Sequence, residues 1–220
     1  MRFGLSVLDY IVTSNHVHLL VKDTGPNVIA DSMQLIAGRV GQEYNQRKAR
    51  HGAFWEDRYH ATAIEADEHL HRCLVYIDLN MVRAGVVGRP SNWAHSGYRE
   101  IQNPPKQYAI IDLPELSSLC EFNGVTDFQQ AHRDWVTEAL NRESVVREGN
   151  WSEAIAVGNL NFVEKVKSEF GFKAAHPAAM RRFKSSRVQK SKAIRRLTTH
   201  MHSGSKVNLT GPILRLKMSR

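Results

Sequence analysis

Two short segments carry the residue types that could do chemistry. Residues 16–20 (HVHLL) place His16 and His18 two positions apart in an extended stretch, so both imidazoles point to one face of a strand. Tyr76 and Asn80 are four positions apart and therefore share a face of a helix. If the two faces meet, they combine two nitrogen ligands, an oxygen ligand and a phenol nucleophile. Such a set indicates metal-assisted cleavage of a nucleic-acid strand through a covalent tyrosine intermediate.

Each of these residues also has a purely structural interpretation. A His-x-His pair is a weak signal, because one histidine can pack in the sheet while its neighbour accepts a turn hydrogen bond. Tyr76 lies beside the apolar stripe of its helix and is consistent with a tyrosine at the edge of the core. Asn80 needs a separate explanation, since an amide in a helix interior is unfavourable unless it is used.

Three further residues are candidates for contacts with a nucleic acid. Arg83 extends the face of Tyr76 by one more turn and suits a phosphate contact. The alternative, a solvated arginine near a helix C-terminus, is at least as common. Trp55 and Arg58 precede a predicted strand and could stack on bases, whereas aromatic residues at such positions more often pack in a core.

Hydrophobic periodicity predicts the elements that must position these residues. Alternating β-branched and aromatic residues indicate strands, and apolar residues at helical spacing indicate helices. Asn27 and Asp67 stand where they can cap the helices that follow them. The predicted order is strand 5–13, strand 16–22, helix 28–50, strand 59–66, helix 68–84, and helices 127–141 and 151–170.

Taken together, several segments resemble the single-tyrosine HUH transposases, and most closely the REP-associated tyrosine transposases of bacteria. The resemblance implies that His16 and His18 are metal ligands, that Tyr76 is the nucleophile and that Asn80 is the third ligand. Met81 stands where relatives usually have proline, which is a mild departure. The segments are NHVHLLV (15–21), FWEDRYHAT (54–62), YIDLNMVRAGVV (76–87) and PSNWAHSGYRE (90–100), with REGNWSEAIAVG (147–158) similar to the C-terminal extension of a longer branch.

The resemblance implies an α+β fold, with a ferredoxin-like (RRM-like) antiparallel sheet and helices on one face. It also implies a divalent metal ion, Mg²⁺ or Mn²⁺, and histidine ligands favour Mn²⁺. The expected reaction nicks single-stranded or hairpin DNA of the REP type during DNA transposition, through a 5′-phosphotyrosine intermediate. The expected partner is therefore DNA, with the protein a monomer or homodimer.

In that fold the strand order is 4-1-3-2, and this sequence begins at the second strand. We therefore expect an N-terminally incomplete catalytic domain, with a gap between the histidine strand and strand 59–66 that leaves backbone groups unpaired. Two alternatives stay open beside the endonuclease. One is a truncated remnant that binds DNA without cutting it. The other is a metal-dependent hydrolase with no covalent step.

Composition adds limits on compartment and partners. The net charge is +8, and residues 171–220 hold 13 of the 30 Lys and Arg residues and no acidic residue. Such a block suits a phosphate backbone. Two cysteines and no long apolar stretch indicate a cytoplasmic protein without a membrane span. The predicted division is a catalytic domain (1–101), a linker (102–112), a helical C-terminal extension (113–174) and a basic tail without predicted regular structure (175–220).

Overall fold

The computed structural model describes residues 3–66, 68–141, 151, 154–169 and 213–220. Within these ranges the chain forms a five-stranded sheet flanked by helices, which confirms the predicted α+β class. The strands are β1 (Ser6–Val12), β2 (His16–Lys22), β3 (His60–Ile64), β4 (Ala156–Val157) and β5 (Ile213–Ser219). The helices are α1 (Val28–Arg47), α2 (Glu68–Asp78), α3 (Asn80–Arg83), α4 (Gly97–Gln102), α5 (Leu113–Leu119), α6 (Val125–Asn141) and α7 (Leu160–Glu169), with a 3-10 turn at Pro90–Asn92.

Strands β1 and β2 form the predicted antiparallel hairpin. Ile11 pairs with His18 and Val12 with Val17, so the histidine strand is aligned by the turn that precedes it. The Thr13 N–H donates to the His16 carbonyl at 2.9 Å, and the Thr13 hydroxyl donates to the same carbonyl at 2.9 Å. This turn fixes the register of the hairpin, and a one-residue slip would move both histidines to the other face.

Strand β5 occupies the centre of the sheet, whose order is β1-β2-β5-β3-β4. It runs antiparallel to β2 along its whole length, from His16 opposite Ser219 to Lys22 opposite Ile213. It is also antiparallel to β3, from His60 to Ile64. The expected gap between the histidine strand and the strand after α1 is therefore filled, and the backbone groups of both neighbours are paired.

This placement corrects the prediction that the chain has no regular structure after Ala174. Leu214, Leu216 and Met218 alternate with Arg215 and Lys217, which is the period-two pattern of a strand. The pattern is short and lies within the basic, acid-free stretch, so it is a weak signal by itself. What makes it a strand is the pair of open edges on β2 and β3, which lie far away in the sequence.

Helices cover both faces of the sheet, which corrects the expectation that they lie on one. On the first face, Leu20 and Ile64 belong to a cluster with Ile77 of α2 and with α5 and α6. On the second face, Leu214 and Leu216 belong to a cluster with α1 and α7. The central strand β5 has apolar side chains on that second face, and helices α1 and α7 bury them. The second cluster includes Val7, Val21, Ile29, Met33, Ala63, Val166 and Met218.

Two local predictions fail for identifiable reasons. Asn27 does not cap α1 through its side chain, because it adopts a left-handed backbone conformation (φ 63°) in the turn before the helix. The predicted helix 151–170 is interrupted, since Ala156–Val157 pair with β3 as the short parallel strand β4 and the next helix begins at Leu160. The Glu65 carboxylate accepts a hydrogen bond from the Asn159 backbone N–H at 2.6 Å, which ties the segment after β4 to the end of β3. The proposed cap Asp67 lies outside the described residues.

No helix in the described ranges combines the length and the apolar character needed to cross a membrane.

Candidate active site

The histidine pair lies on the face of β2 that meets α2. His18 is 2% exposed, and His16 is half-buried. Their ring centroids are 4.7 Å apart with the planes nearly perpendicular. The Asn15 side-chain oxygen lies 2.7 Å from His16 Nδ1 and steadies the outer ring. The two imidazoles thus share one face, as their spacing predicts.

Helices α2 and α3 bring Tyr76 and Asn80 to the same place. Helix α2 gives way to α3 at Leu79, although the i to i−4 hydrogen bonds continue through Leu79 and Arg83. The Tyr76 ring is 7% exposed, and its centroid lies 6.4 Å from that of His18. The Asn80 amide nitrogen lies 3.3 Å from His18 Nε2. The structure therefore gathers three of the predicted site residues, His16, Tyr76 and Asn80, around the buried imidazole of His18.

Two guanidinium groups lie against the Tyr76 ring. The Arg83 guanidinium carbon is 4.1 Å from the ring centroid, and Arg83 also donates to the Tyr76 carbonyl. The Arg215 guanidinium carbon is 5.0 Å from the same centroid. Trp151 is buried, and its ring centroid lies 5.8 Å from that of Tyr76. The phenol ring is thus surrounded by two cations and an indole.

Arg215 is the residue that sequence reasoning missed. It comes from β5, is 0% exposed, donates to His18 Nδ1 at 2.5 Å and also donates to the Trp151 carbonyl. Among the described residues no carboxylate forms an ion pair with it, and its Nε has no hydrogen-bond partner. The available signal was a single arginine inside the alternating segment 213–219.

The hydrogen bonds of His18 fix where its proton lies. Burial, followed by the nearby Arg215 guanidinium, holds the pKa of His18 well below its usual range, so the ring is neutral at neutral pH. A neutral imidazole has one donor and one acceptor, and arginine can only donate. Nδ1 therefore accepts from Arg215, and Nε2 carries the hydrogen. Nε2–H then donates to Asn80, whose amide must present its oxygen rather than its nitrogen.

The metal ion that the resemblance implies can be tested against this arrangement. The ligand types suit a transition ion, and 3.3 Å between the Asn80 amide and His18 Nε2 is close to the about 3 Å between neighbouring ligands of an octahedral cation. A protonated Nε2 has no lone pair to give, however. With Arg215 in place, the site does not fit a metal ion.

The remaining predicted contact residues lie elsewhere. Trp55 packs against the cluster on the face opposite Tyr76, and its indole N–H donates to the Ala37 carbonyl of α1 at 3.0 Å. Arg58 is exposed in the loop between α1 and β3, where its backbone N–H donates to the Asp57 carboxylate. The structure therefore brings Arg83 to Tyr76 but not Trp55, and the role of Arg58 in DNA binding stays a prediction.

Comparison with known proteins finds one family that matches part of the chain. Residues 1–80 of the 220 residues match the family model described as "Transposase IS200 like". The matched segment contains His16, His18, Tyr76 and Asn80, whereas Arg215 and β5 lie beyond it. No curated protein and no solved structure matches the chain.

Proposed function

We propose that this chain is a transposase-type DNA endonuclease and strand transferase in which the Tyr76 phenol is the nucleophile. The observation that carries the proposal is the convergence of His16, His18, Tyr76 and Asn80. His18 and Asn80 are 62 positions apart in sequence, yet their side chains are in contact. The substrate that we propose is single-stranded or hairpin DNA of the REP type, as the resemblance of the motif segments implies.

The chemistry follows from the groups around the phenol. The Tyr76 oxygen attacks a backbone phosphorus, the bond from phosphorus to the 3′ oxygen breaks, and the 3′ oxygen leaves as a hydroxyl once it takes a proton. The phenol loses a proton and the 3′ oxygen gains one, directly or through water, so the step balances; in between, negative charge passes through the phenol oxygen and the phosphoryl oxygens. Arg83 and Arg215 are close enough to stabilise that charge. Because a phosphodiester is exchanged for a phosphotyrosine ester, the reverse attack by a 3′-hydroxyl rejoins a strand.

One observation favours a second candidate, a protein that binds DNA without cutting it. The Tyr76 side chain is 7% exposed and packs under Arg83 and beside Trp151. These neighbours restrict the access of a phosphate to the phenol. A chain in which they keep phosphate away from the phenol would hold DNA through its cationic surface alone.

An adduct assay separates the two candidates. We expect wild-type protein incubated with a labelled REP-type hairpin to form a species that survives denaturation in detergent. Tyr76→Phe should abolish this species but leave hairpin binding unchanged, because the ring and its packing remain. The matched control is Tyr108→Phe, which alters an exposed tyrosine and should retain the adduct. An adduct that survives in Tyr76→Phe excludes Tyr76 as the nucleophile, and hairpin binding with no adduct in wild type favours the second candidate.

A further inference from the structure

Arg215 is a buried cation beside the histidine pair and has no anionic partner among the described residues. Arg215 has no solvent exposure, its Nε lacks a hydrogen-bond partner within the described residues, and the ion pairs of those residues do not include it. Burial of a charge that lacks a counter-ion is costly, so such a group is usually retained for a reason. The groups that surround the guanidinium indicate that reason.

Among the described residues, the groups that interact most strongly with the Arg215 charge carry no negative charge to balance it. The sulfhydryl of Cys73 interacts with the Arg215 charge, but burial raises its pKa to about 12, so it is a neutral thiol. Tyr76 interacts with the same charge through the face and oxygen of its ring. The remaining contacts are the Trp151 carbonyl and the neutral imidazole of His18. No described residue neutralises the guanidinium, so its positive charge can act on an anion that reaches Tyr76.

The same guanidinium and a metal ion exclude each other at His18. A metal-ligating histidine generally donates its other N–H to a carboxylate, a carbonyl or water, which leaves the ligating nitrogen with its lone pair. In this structure the partner of His18 Nδ1 is a hydrogen-bond donor, so the Nδ1 lone pair points at Arg215. The imidazole hydrogen therefore lies on Nε2, which faces Asn80. Binding a cation at Nε2 would require the Arg215–His18 hydrogen bond to break.

We propose that the Arg215 side chain supplies the positive charge of this site in place of a metal ion. It holds His18 in a form that does not ligate metal, and together with Arg83 it supplies the positive charge for a DNA phosphate beside Tyr76. The part that concerns phosphate rests on the proposed function. The part that concerns metal rests only on the hydrogen bonds of His18, so the two can fail separately.

A titration with Mn²⁺ alone tests the exclusion of metal. Arg215→Gln places a carbonyl oxygen where it can accept the Nδ1 hydrogen, which frees Nε2 to ligate. We expect calorimetry or electron paramagnetic resonance to show Mn²⁺ affinity at least about tenfold higher in Arg215→Gln than in wild type, the lower end of the effect typical of such partners. Arg215→Lys keeps a donor and a charge and should show no gain. Adding His18→Ala to Arg215→Gln should remove the gain.

A measurement on the unaltered protein keeps the proposal falsifiable if these variants do not fold. Nitrogen-15 NMR of the histidine side chains should show His18 as the neutral form with hydrogen on Nε2. A hydrogen on Nδ1 would overturn the proposal, as would wild-type protein that binds Mn²⁺ through His18 as tightly as Arg215→Gln does.

The phosphate part has its own readout. In a series of salt concentrations, Arg215→Gln should lower the slope of log affinity against log salt for a single-stranded oligonucleotide by about 0.7, the change expected when one phosphate is no longer neutralised. Arg215→Lys should restore the slope, and an unchanged slope in Arg215→Gln would overturn the phosphate role. If Arg215→Gln gains Mn²⁺ while no protein forms an adduct, the proposed endonuclease is wrong and the metal exclusion stands.

Discussion

At the scale of single residues, the buried carboxyl of Asp9 gives a consequence that can be measured against pH. Asp9 has no solvent exposure, and burial followed by the charge of Asp78 raises its pKa well above the usual range. Its Oδ1 accepts the Tyr10 backbone N–H at 2.7 Å, while Oδ2 has no partner in the described residues. The folded state thus prefers the neutral carboxyl.

Asp9→Asn should therefore stabilise the protein near neutral pH. An acid with a raised folded pKa contributes stability that is fully present below its unfolded pKa, near 3.9, and is lost as pH rises through the folded pKa. The amide keeps the oxygen that accepts the Tyr10 N–H and cannot ionise. We expect the unfolding midpoint of Asp9→Asn to exceed that of wild type at pH 7 and to match it near pH 4.

The control for this prediction is Asp134→Asn, which alters an exposed carboxylate and should not reproduce that dependence on pH. A difference between Asp9→Asn and wild type that stays constant from pH 4 to pH 7 would show that Asp9 is not held neutral in the folded state.

The site residues show what sequence can and cannot predict at this scale. The two histidines, His16 and His18, are two positions apart on a strand. Tyr76 and Asn80 are four positions apart in a helical segment. Local periodicity is therefore enough to place each pair on one face. The contact between Arg215 and His18 spans 197 positions. No local pattern specifies the partner of such a residue, so the tautomer that follows from it cannot be predicted from sequence.

At the scale of elements, β5 is the strand on which the sheet depends. It hydrogen-bonds to β2 over seven aligned positions and to β3 over five, and it contributes Leu214 and Leu216 to the core. Its removal would leave two facing strand edges unpaired and would open the cluster under α1.

Deletion of 213–220 should therefore destabilise the whole sheet. We expect loss of the cooperative unfolding transition, since truncating even one buried leucine typically costs 2–5 kcal/mol (a rough general range). A synthetic peptide of residues 211–220, added in trans, should restore the transition in a concentration-dependent way by pairing with β2 and β3.

Two peptide controls and one outcome sharpen this test. A peptide with Leu214→Asp and Leu216→Asp should not restore the transition, because both side chains are buried. A peptide with Ser219→Ala should, because the buried apolar side chains are unchanged. A deleted chain that unfolds like wild type without any peptide would show that β5 is not part of the stable sheet.

A helix or strand can be predicted from the sequence when its own residues carry a periodic pattern, and not when it forms only because a distant partner is present. Strands β1, β2 and β3 and helices α1, α2 and α6 can be predicted because their periodicity is local and long enough. Strand β4 has two residues and forms only because the edge of β3 is open beside it. The cap of α1 and the end of α2 differ from the prediction, since Asn27 forms a turn with a left-handed backbone and α2 changes to α3 at Leu79.

At the scale of the whole molecule, charge is distributed unevenly along the sequence. Residues 171–220 have 13 basic and no acidic residues, whereas the remaining chain has 17 basic and 22 acidic residues. Two of those 13 residues, Arg215 and Lys217, lie at the site, where their charges and that of Arg83 act on His18. The end of the basic region therefore contributes to the positive potential around the histidine pair.

Neutralising part of the basic region should weaken DNA binding without changing the chemistry. We expect the quintuple replacement of Arg181, Arg182, Lys184, Arg187 and Lys190 by Gln to lower hairpin affinity and to flatten its dependence on salt. The slope should fall by at most about 0.7–0.9 for each phosphate that is no longer neutralised. At saturating hairpin, the yield of adduct should equal that of wild type.

The control is the replacement of Lys106, Lys165 and Lys167 by Gln, since these residues lie outside 171–220. It should change the dependence of hairpin affinity on salt less than the quintuple replacement does. A quintuple variant that binds with wild-type affinity and slope would show that the basic region does not bind the DNA backbone.

The central claim is that Tyr76 forms the covalent bond to DNA. The most direct measurement is peptide mapping by mass spectrometry of the wild-type protein after reaction with a REP-type hairpin and nuclease digestion. We expect a nucleotide joined through a 5′-phosphate to the peptide that contains Tyr76, and no such mass in Tyr76→Phe. A nucleotide attached to any other residue, or cleaved DNA with no attached nucleotide, would contradict it.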